Sequence, residues 1–178
     1  MHSIFLSYSR RDATEVDAIA RQLELGGYRV WLDRQGIRGG EQWRKSIVAA
    51  IEGAQVFVLL LSPNSVQSSN VRKELDLAEA AKIRILPVEM ASTTLPAELK
   101  YQLAGVQLVN LWQDQRRGMI DIMRTLRDLR VSRSDEKSAP LSPQPAADQR
   151  KAGAAGANVD LSDLGSGGFL RSLFGRKR

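Results

Sequence analysis

Residues 1–131 predict one α/β domain built on a five-stranded parallel sheet with helices on both faces. Three observations predict it. Short β-rich runs alternate with segments of helical periodicity along the whole stretch, as in repeated strand–helix–strand units. The run at 55–61 is almost unbroken apolar, which fits a strand covered on both sides. After residue 131 both patterns stop, and the composition turns to proline, alanine and glycine.

The elements follow in order. Residues 3–9 form a β-rich first strand. Asp12 then has the chemistry of a helix N-cap, with Glu15 three residues later completing a capping-box-like pair. Val16, Ile19, Ala20 and Leu23 recur at helical spacing until Gly26 and Gly27 stop the helix. Residues 28–32 make the second strand, which ends at Asp33, and a glycine- and arginine-rich loop fills 34–40. The second helix carries Trp43, Ile47, Ala50 and Ile51 on one face. Beyond the third strand, a turn at 62–65 leads to caps at Ser68, Ser69 and Asn70 and a third helix with Val71, Leu75 and Ala78 inward. Residues 83–88 and 106–111 read as strands four and five, separated by a short helix near 95–99. A last helix begins near Arg116, with Met119, Ile122, Met123, Leu126 and Leu129 at 3.6 periodicity.

Composition excludes whole classes of chemistry. The chain has no cysteine and a single histidine, His2. Disulfides, thiolate nucleophiles, zinc–thiolate sites, a Ser-His-Asp triad and a multi-histidine metal centre are therefore closed to a single chain. No metal site is expected, and acid–base work must come from carboxylates. The formal charge of +6 is spread out, about half the excess lying beyond residue 131, and acids alternate with bases in the domain. Nucleic acid is accordingly not an expected partner. No apolar run approaches the ~20 residues of a membrane span. Met1 leads straight into a strand with no leader pattern, so a cytoplasmic protein is expected.

Residues 132–178 read as a flexible tail, with Pro140, Pro143 and Pro145 and an alanine–glycine run at 152–157. The tail ends in Phe169, Leu170, Leu173 and Phe174 among Arg171, Arg176, Lys177 and Arg178, a short basic amphipathic segment. Such a segment suits a membrane surface or a docking partner; the plainer reading is a solubilising tail with chance hydrophobes.

In open parallel sheets, ligands bind beyond the C-terminal strand ends where strand order reverses. With the order 2-1-3-4-5 that point lies between strands one and three. Tyr8, Ser9 and Arg10 end the first strand there, Asp33 and the loop with Arg38 border it, and Asn70 and Glu74 approach from the third helix. Asn70 and Glu74 are four apart and share a helix face. A glutamate near a helix start is expected to be held ionised by the dipole. Such a carboxylate suits stabilisation of a sugar oxocarbenium ion in glycosidic cleavage. The alternative for Glu74 is a surface residue paired with Arg72, Lys73 or Arg10, and for Trp43 a packing role beneath the loop. The glycines of the loop spell neither a Walker motif nor a dinucleotide fingerprint.

These segments together resemble a TIR (Toll/interleukin-1 receptor) domain. Residues 4–9, Ile-Phe-Leu-Ser-Tyr-Ser, are similar to the family's first-strand box. Val30-Trp31-Leu32-Asp33, Gly39-Gly40 and Trp43 resemble its second strand and the BB loop after it. Leu60 to Ser65, Arg72-Lys73-Glu74-Leu75 and Ile85-Leu86-Pro87-Val88 resemble the approach to the third helix and the fourth strand. The resemblance implies a flavodoxin-like sheet of order 2-1-3-4-5 and two functions. In one, the domain cleaves the nicotinamide–ribose bond of NAD to nicotinamide and ADP-ribose or a cyclic isomer; in the other it is a non-catalytic module for TIR–TIR assembly or for binding other TIR domains. Glu74 matches the family's essential glutamate. The resemblance puts Tyr8, Ser9 and Arg10 on the ribose and phosphate side, and Asp33, Arg38 and Trp43 at the loop that closes the site. It further implies NAD as substrate with no separate cofactor, self-association that completes the site between protomers, and a bacterial stand-alone protein of defence signalling or an effector. Asn70 departs from the family, which frequently has tryptophan four residues before the glutamate.

Overall fold

The computed structural model describes residues 3–33 and 40–133. The loop at 34–39, with Arg38, and the predicted tail beyond residue 133 lie outside the described residues.

The interior strand β1 (Ile4–Ser7) pairs in parallel with β2 (Val30–Leu32) on one side and β3 (Val56–Leu61) on the other. Strands β4 (Arg84–Glu89) and β5 (Val109–Asn110) extend the sheet, which has the order 2-1-3-4-5 with every pair parallel. This is the flavodoxin-like arrangement, and it places the reversal of strand order between β1 and β3.

Side-chain alternation along the strands sorts the core into two layers. Ile4, Leu6, Val56, Val58, Leu60, Leu86 and Val88 pack under α1 (Ala13–Leu25) and α5 (Gln115–Asp128), through Val16, Ala20, Leu23, Ile122 and Leu126. Phe5, Phe57, Leu59 and Leu61 meet α2 (Glu41–Glu52) and α3 (Ser69–Ala80), through Ile47, Ala50, Ile51, Val71, Leu75 and Ala78. Phe5 stacks between Trp31 and Phe57, with ring centroids 4.7 and 5.4 Å away. The short helix α4 (Ala97–Gln102) links β4 to β5, and Leu99 packs against this second layer.

Three local expectations are corrected. Asp12 precedes α1 but makes no side-chain capping bond. Its carboxylate instead accepts hydrogen bonds from Ser62 Oγ and Asn64 Nδ2, each 2.5 Å, tying the entry of α1 to the end of β3. The fifth strand is two residues long, because only Val109 and Asn110 pair with β4 and the chain leaves α4 through Gly105 at φ +79°. The second strand starts at Val30 rather than residue 28: the Tyr28 N–H bonds back to the Leu23 carbonyl, and Gly27 takes φ +87° between them. Past α5, Val131 is buried, and Ser132 exchanges hydrogen bonds with the Gln55 side chain.

Candidate active site

Ser7 ends β1 with the same parity as Phe5, so its side chain points toward α2 and α3 and is fully buried. Above it, α3 is capped by Ser68, whose hydroxyl accepts from the Val71 N–H. Val71, Leu75 and Ala78 press the helix onto the sheet. Glu74 lies beside this buried stripe, one turn after Asn70, and Ser7 Oγ donates to Glu74 Oε2 at 2.6 Å.

Burial sets the character of this carboxyl. Its pKa rises from the ordinary 4.5 to about 7, chiefly because burial penalises the charge; the Ser7 hydrogen bond pulls it down, the Asp33 charge pushes it up, and Arg10 lowers it. The expectation that the helix dipole sets this group in favour of its ionised form is thereby corrected. Glu74 sits in the second turn of α3, beyond the reach of the helix N-terminus, and desolvation wins. The alternative of a surface ion pair also fails: Glu74 hydrogen-bonds Ser7, and none of Arg72, Lys73 or Arg10 pairs with it among the described residues.

The strand ends supply a second cluster. Asp33, just after β2, accepts from Trp43 Nε1 through Oδ1 at 3.1 Å and pairs with the Arg10 guanidinium through Oδ2. Tyr8 donates its hydroxyl to the Asp33 backbone carbonyl at 2.8 Å. The Arg10 guanidinium also lies 5.7 Å from the Trp43 ring centroid, within cation–π range. Trp43 thus serves Asp33 as a donor and Arg10 as a ring platform, while the loop beneath which it was expected to pack lies outside the described residues. The Ser9 hydroxyl accepts from the Arg11 N–H and caps the 3-10 turn at Arg10–Asp12.

Two hollows meet at Glu74. One, of about 210 Å³, is polar and walled by Tyr8, Ser9, Arg10, Arg11, Asp33 and Ser68. The other, of about 260 Å³, lies between α2 and α3 against Ile47, Val48 and Leu77, with Arg44 and Lys73 at its edge. Trp43, Asn70 and Glu74 line both. The structure thus gathers Tyr8, Ser9, Arg10, Asp33, Trp43, Asn70 and Glu74 around one crevice, and Arg38 lies outside the described residues. A larger hollow of about 490 Å³ between β5 and α5 is lined by none of these residues. Among the described residues, no group of three or more His, Cys, Asp or Glu side chains gathers as a metal site.

The family model of the TIR domain matches residues 4–124. The chain belongs to the TIR-domain family. This TIR domain is 32% identical over 92 residues to a protein of Paracoccus denitrificans named NAD(+) hydrolase PdTIR, a match covering 49% of this chain and 31% of the relative. It is 31% identical over 123 residues to uncharacterized protein y4cD of Sinorhizobium fredii, covering 65% of this chain and 19% of the relative. The chain thus spans less than a third of the length of these curated relatives. Its fold is similar to the crystal structure of the TIR domain of the Toll-related receptor TRR-2 from Hydra magnipapillata, with a TM-score of 0.60 at 18% identity, covering 73% of this chain and 99% of that one. Among the described residues, no helix is long and apolar enough to cross a membrane.

Sequence reasoning passed over Ser7, although a signal for it exists. In this TIR domain the residues of β1 and β3 that face α2 and α3 are Phe5, Phe57, Leu59 and Leu61, with Ser7 the one polar exception. A fully buried hydroxyl requires a partner, and the topology leaves α3 to provide it.

Proposed function

We propose that this TIR domain cleaves the nicotinamide–ribose bond of NAD. The observation that carries the reading is Glu74: a largely buried carboxyl at the strand-order reversal, poised at about pH 7 where the polar and apolar hollows meet. The relative named NAD(+) hydrolase supports it. In the reaction the bond between ribose C1′ and the pyridinium nitrogen breaks, and nicotinamide leaves with the electron pair. Positive charge develops on the ribosyl carbon, and the ionised Glu74 carboxylate stabilises it. Water then attacks C1′ and loses its proton to give ADP-ribose; attack by an adenine nitrogen of the same molecule gives a cyclic isomer instead. Arg10 and Arg11 on the polar wall suit the diphosphate, and Tyr8, Ser9 and Asn70 suit the ribose and ring side. Asp33 and Trp43 fix Arg10 at the base of the loop that contains Arg38.

In this reading NAD is a substrate and no further cofactor is involved. Self-association completes the site, and the product serves defence or effector signalling in the cytoplasm. The full chain incubated with NAD at low and high protein concentration should release nicotinamide, with specific activity rising as protomers assemble. A second reading, a non-catalytic assembly module, is favoured by Asn70, which sets an amide where the family frequently has an indole. Assembly without nicotinamide release at any concentration would decide for that second reading.

A further inference from the structure

We propose that Ser7 is the positioning residue of this site: its buried hydroxyl fixes the Glu74 carboxylate toward the crevice and sustains the ionised form on which cleavage depends. The inference rests on the NAD-cleaving reading for its functional half and on geometry alone for the rest. Ser7 ends an interior strand that pairs with β2 and β3 on its two sides, and it is itself in register with Leu59 of β3. Its side chain is fully buried, and Glu74 Oε2 at 2.6 Å takes its proton. A hydroxyl on a short, fully buried side chain of a paired strand is a stiffer support than a long side chain at the rim. It engages one carboxylate oxygen and leaves Oε1 without a hydrogen-bond partner among the described residues.

The charged groups around Glu74 do not replace this contact. Arg10 and Arg11 face it from the turn after β1, and Asp33 from the end of β2. Arg44 faces it from α2 and Lys73 from α3 itself. None of the cations hydrogen-bonds it among the described residues, and Arg10 is committed to Asp33. Ser7 is therefore the hydrogen-bond donor that favours the charged form against burial, in line with its lowering effect on the Glu74 pKa.

The test uses the full chain with ¹³C in the glutamate carboxyl groups, the Glu74 signal being assigned by its loss in Glu74→Gln. In Ser7→Ala the Glu74 titration midpoint should rise by about 1 pH unit, without NAD present. The acid limb of kcat for NAD cleavage should move up by the same amount, so that turnover at pH 6 falls about tenfold, with KM little changed because Ser7 does not touch the substrate. Should Ser7→Ala not fold, Ser7→Cys, whose thiol is a poor donor, carries the same expectation. A folded variant whose Glu74 midpoint stays within about 0.2 pH units of the wild type would overturn the proposal. Absence of NAD cleavage in the wild type would sink the functional reading, while the titration would still decide what Ser7 does to Glu74.

Discussion

Two carboxylates stand at the C-terminal ends of neighbouring strands, each against a serine, and they are built for different ends. Asp12 has both oxygens engaged, by Ser62 and Asn64, and joins the first helix to the end of β3. Glu74 has one oxygen on Ser7, faces two hollows, and has its pKa pushed up to about 7 by burial. A carboxylate with its acceptors filled is a strut. One that is buried with a single donor keeps its charge at a cost, and that cost is recovered when a cation forms beside it.

Removing the charge at each site should break the symmetry most clearly. Glu74→Gln should lower NAD turnover at least ~100-fold, whereas Asp12→Ala should leave it within a few-fold. Stability should move in the opposite sense. Because the folded-state pKa of Glu74 exceeds its ordinary value, the native state holds that proton more tightly than the unfolded chain does. No penalty exists below pH 4.5; stability is lost as pH rises from there and the loss is complete above about 7. Denaturant melts at pH 8 should therefore find Glu74→Gln more stable than wild type, by on the order of 3 kcal/mol at most, with the gain vanishing near pH 4. Asp12→Ala should instead lose ~1–3 kcal/mol, because it takes a partner from the buried Ser62 hydroxyl.

Smaller effects sharpen the contrast. Asn70 lines both hollows but fills neither with a ring. If a planar leaving group sits there, Asn70→Trp should lower the KM for NAD about fivefold through stacking worth on the order of 1 kcal/mol; an unchanged or higher KM in steady-state kinetics would show that this wall is built otherwise. The smallest expected change comes from Asp33, whose charge pushes the Glu74 pKa upward while its partner Arg10 lowers it. Asp33→Asn should move the acid limb of the pH–rate profile to lower pH by less than about one unit. A shift in the opposite direction would show that Asp33 acts through Arg10 placement and not through its own charge.

The contrast also marks what a sequence can disclose. Strand–helix alternation, the apolar third strand and the helical faces were legible because local periodicity reports burial, and the observed sheet order follows from them together with the family resemblance. The Asn70–Glu74 pair was legible because four residues make one helical turn. Asp12 was misread as a cap because its true partners lie some fifty residues away on the β3 turn, where local spacing carries no information. The ionisation of Glu74 was misread for a related reason: the helix start is visible in sequence, but the Ser7 floor and the packing that desolvates the carboxyl are tertiary. The fifth strand was overdrawn because an apolar edge segment looks like a strand whether or not β4 extends far enough to pair with it.

Cleavage at this crevice is decided by the pH dependence of nicotinamide release, measured for the wild type and for Glu74→Gln at a concentration that permits assembly. Wild-type turnover should rise about tenfold per pH unit below 7 and level off above it, as one carboxyl ionises, and the Glu74→Gln profile should be flat and at least ~100-fold lower. Wild-type protein that releases no nicotinamide at any pH, or a folded Glu74→Gln variant that keeps pace with it, would contradict the assignment of this crevice as the site of cleavage.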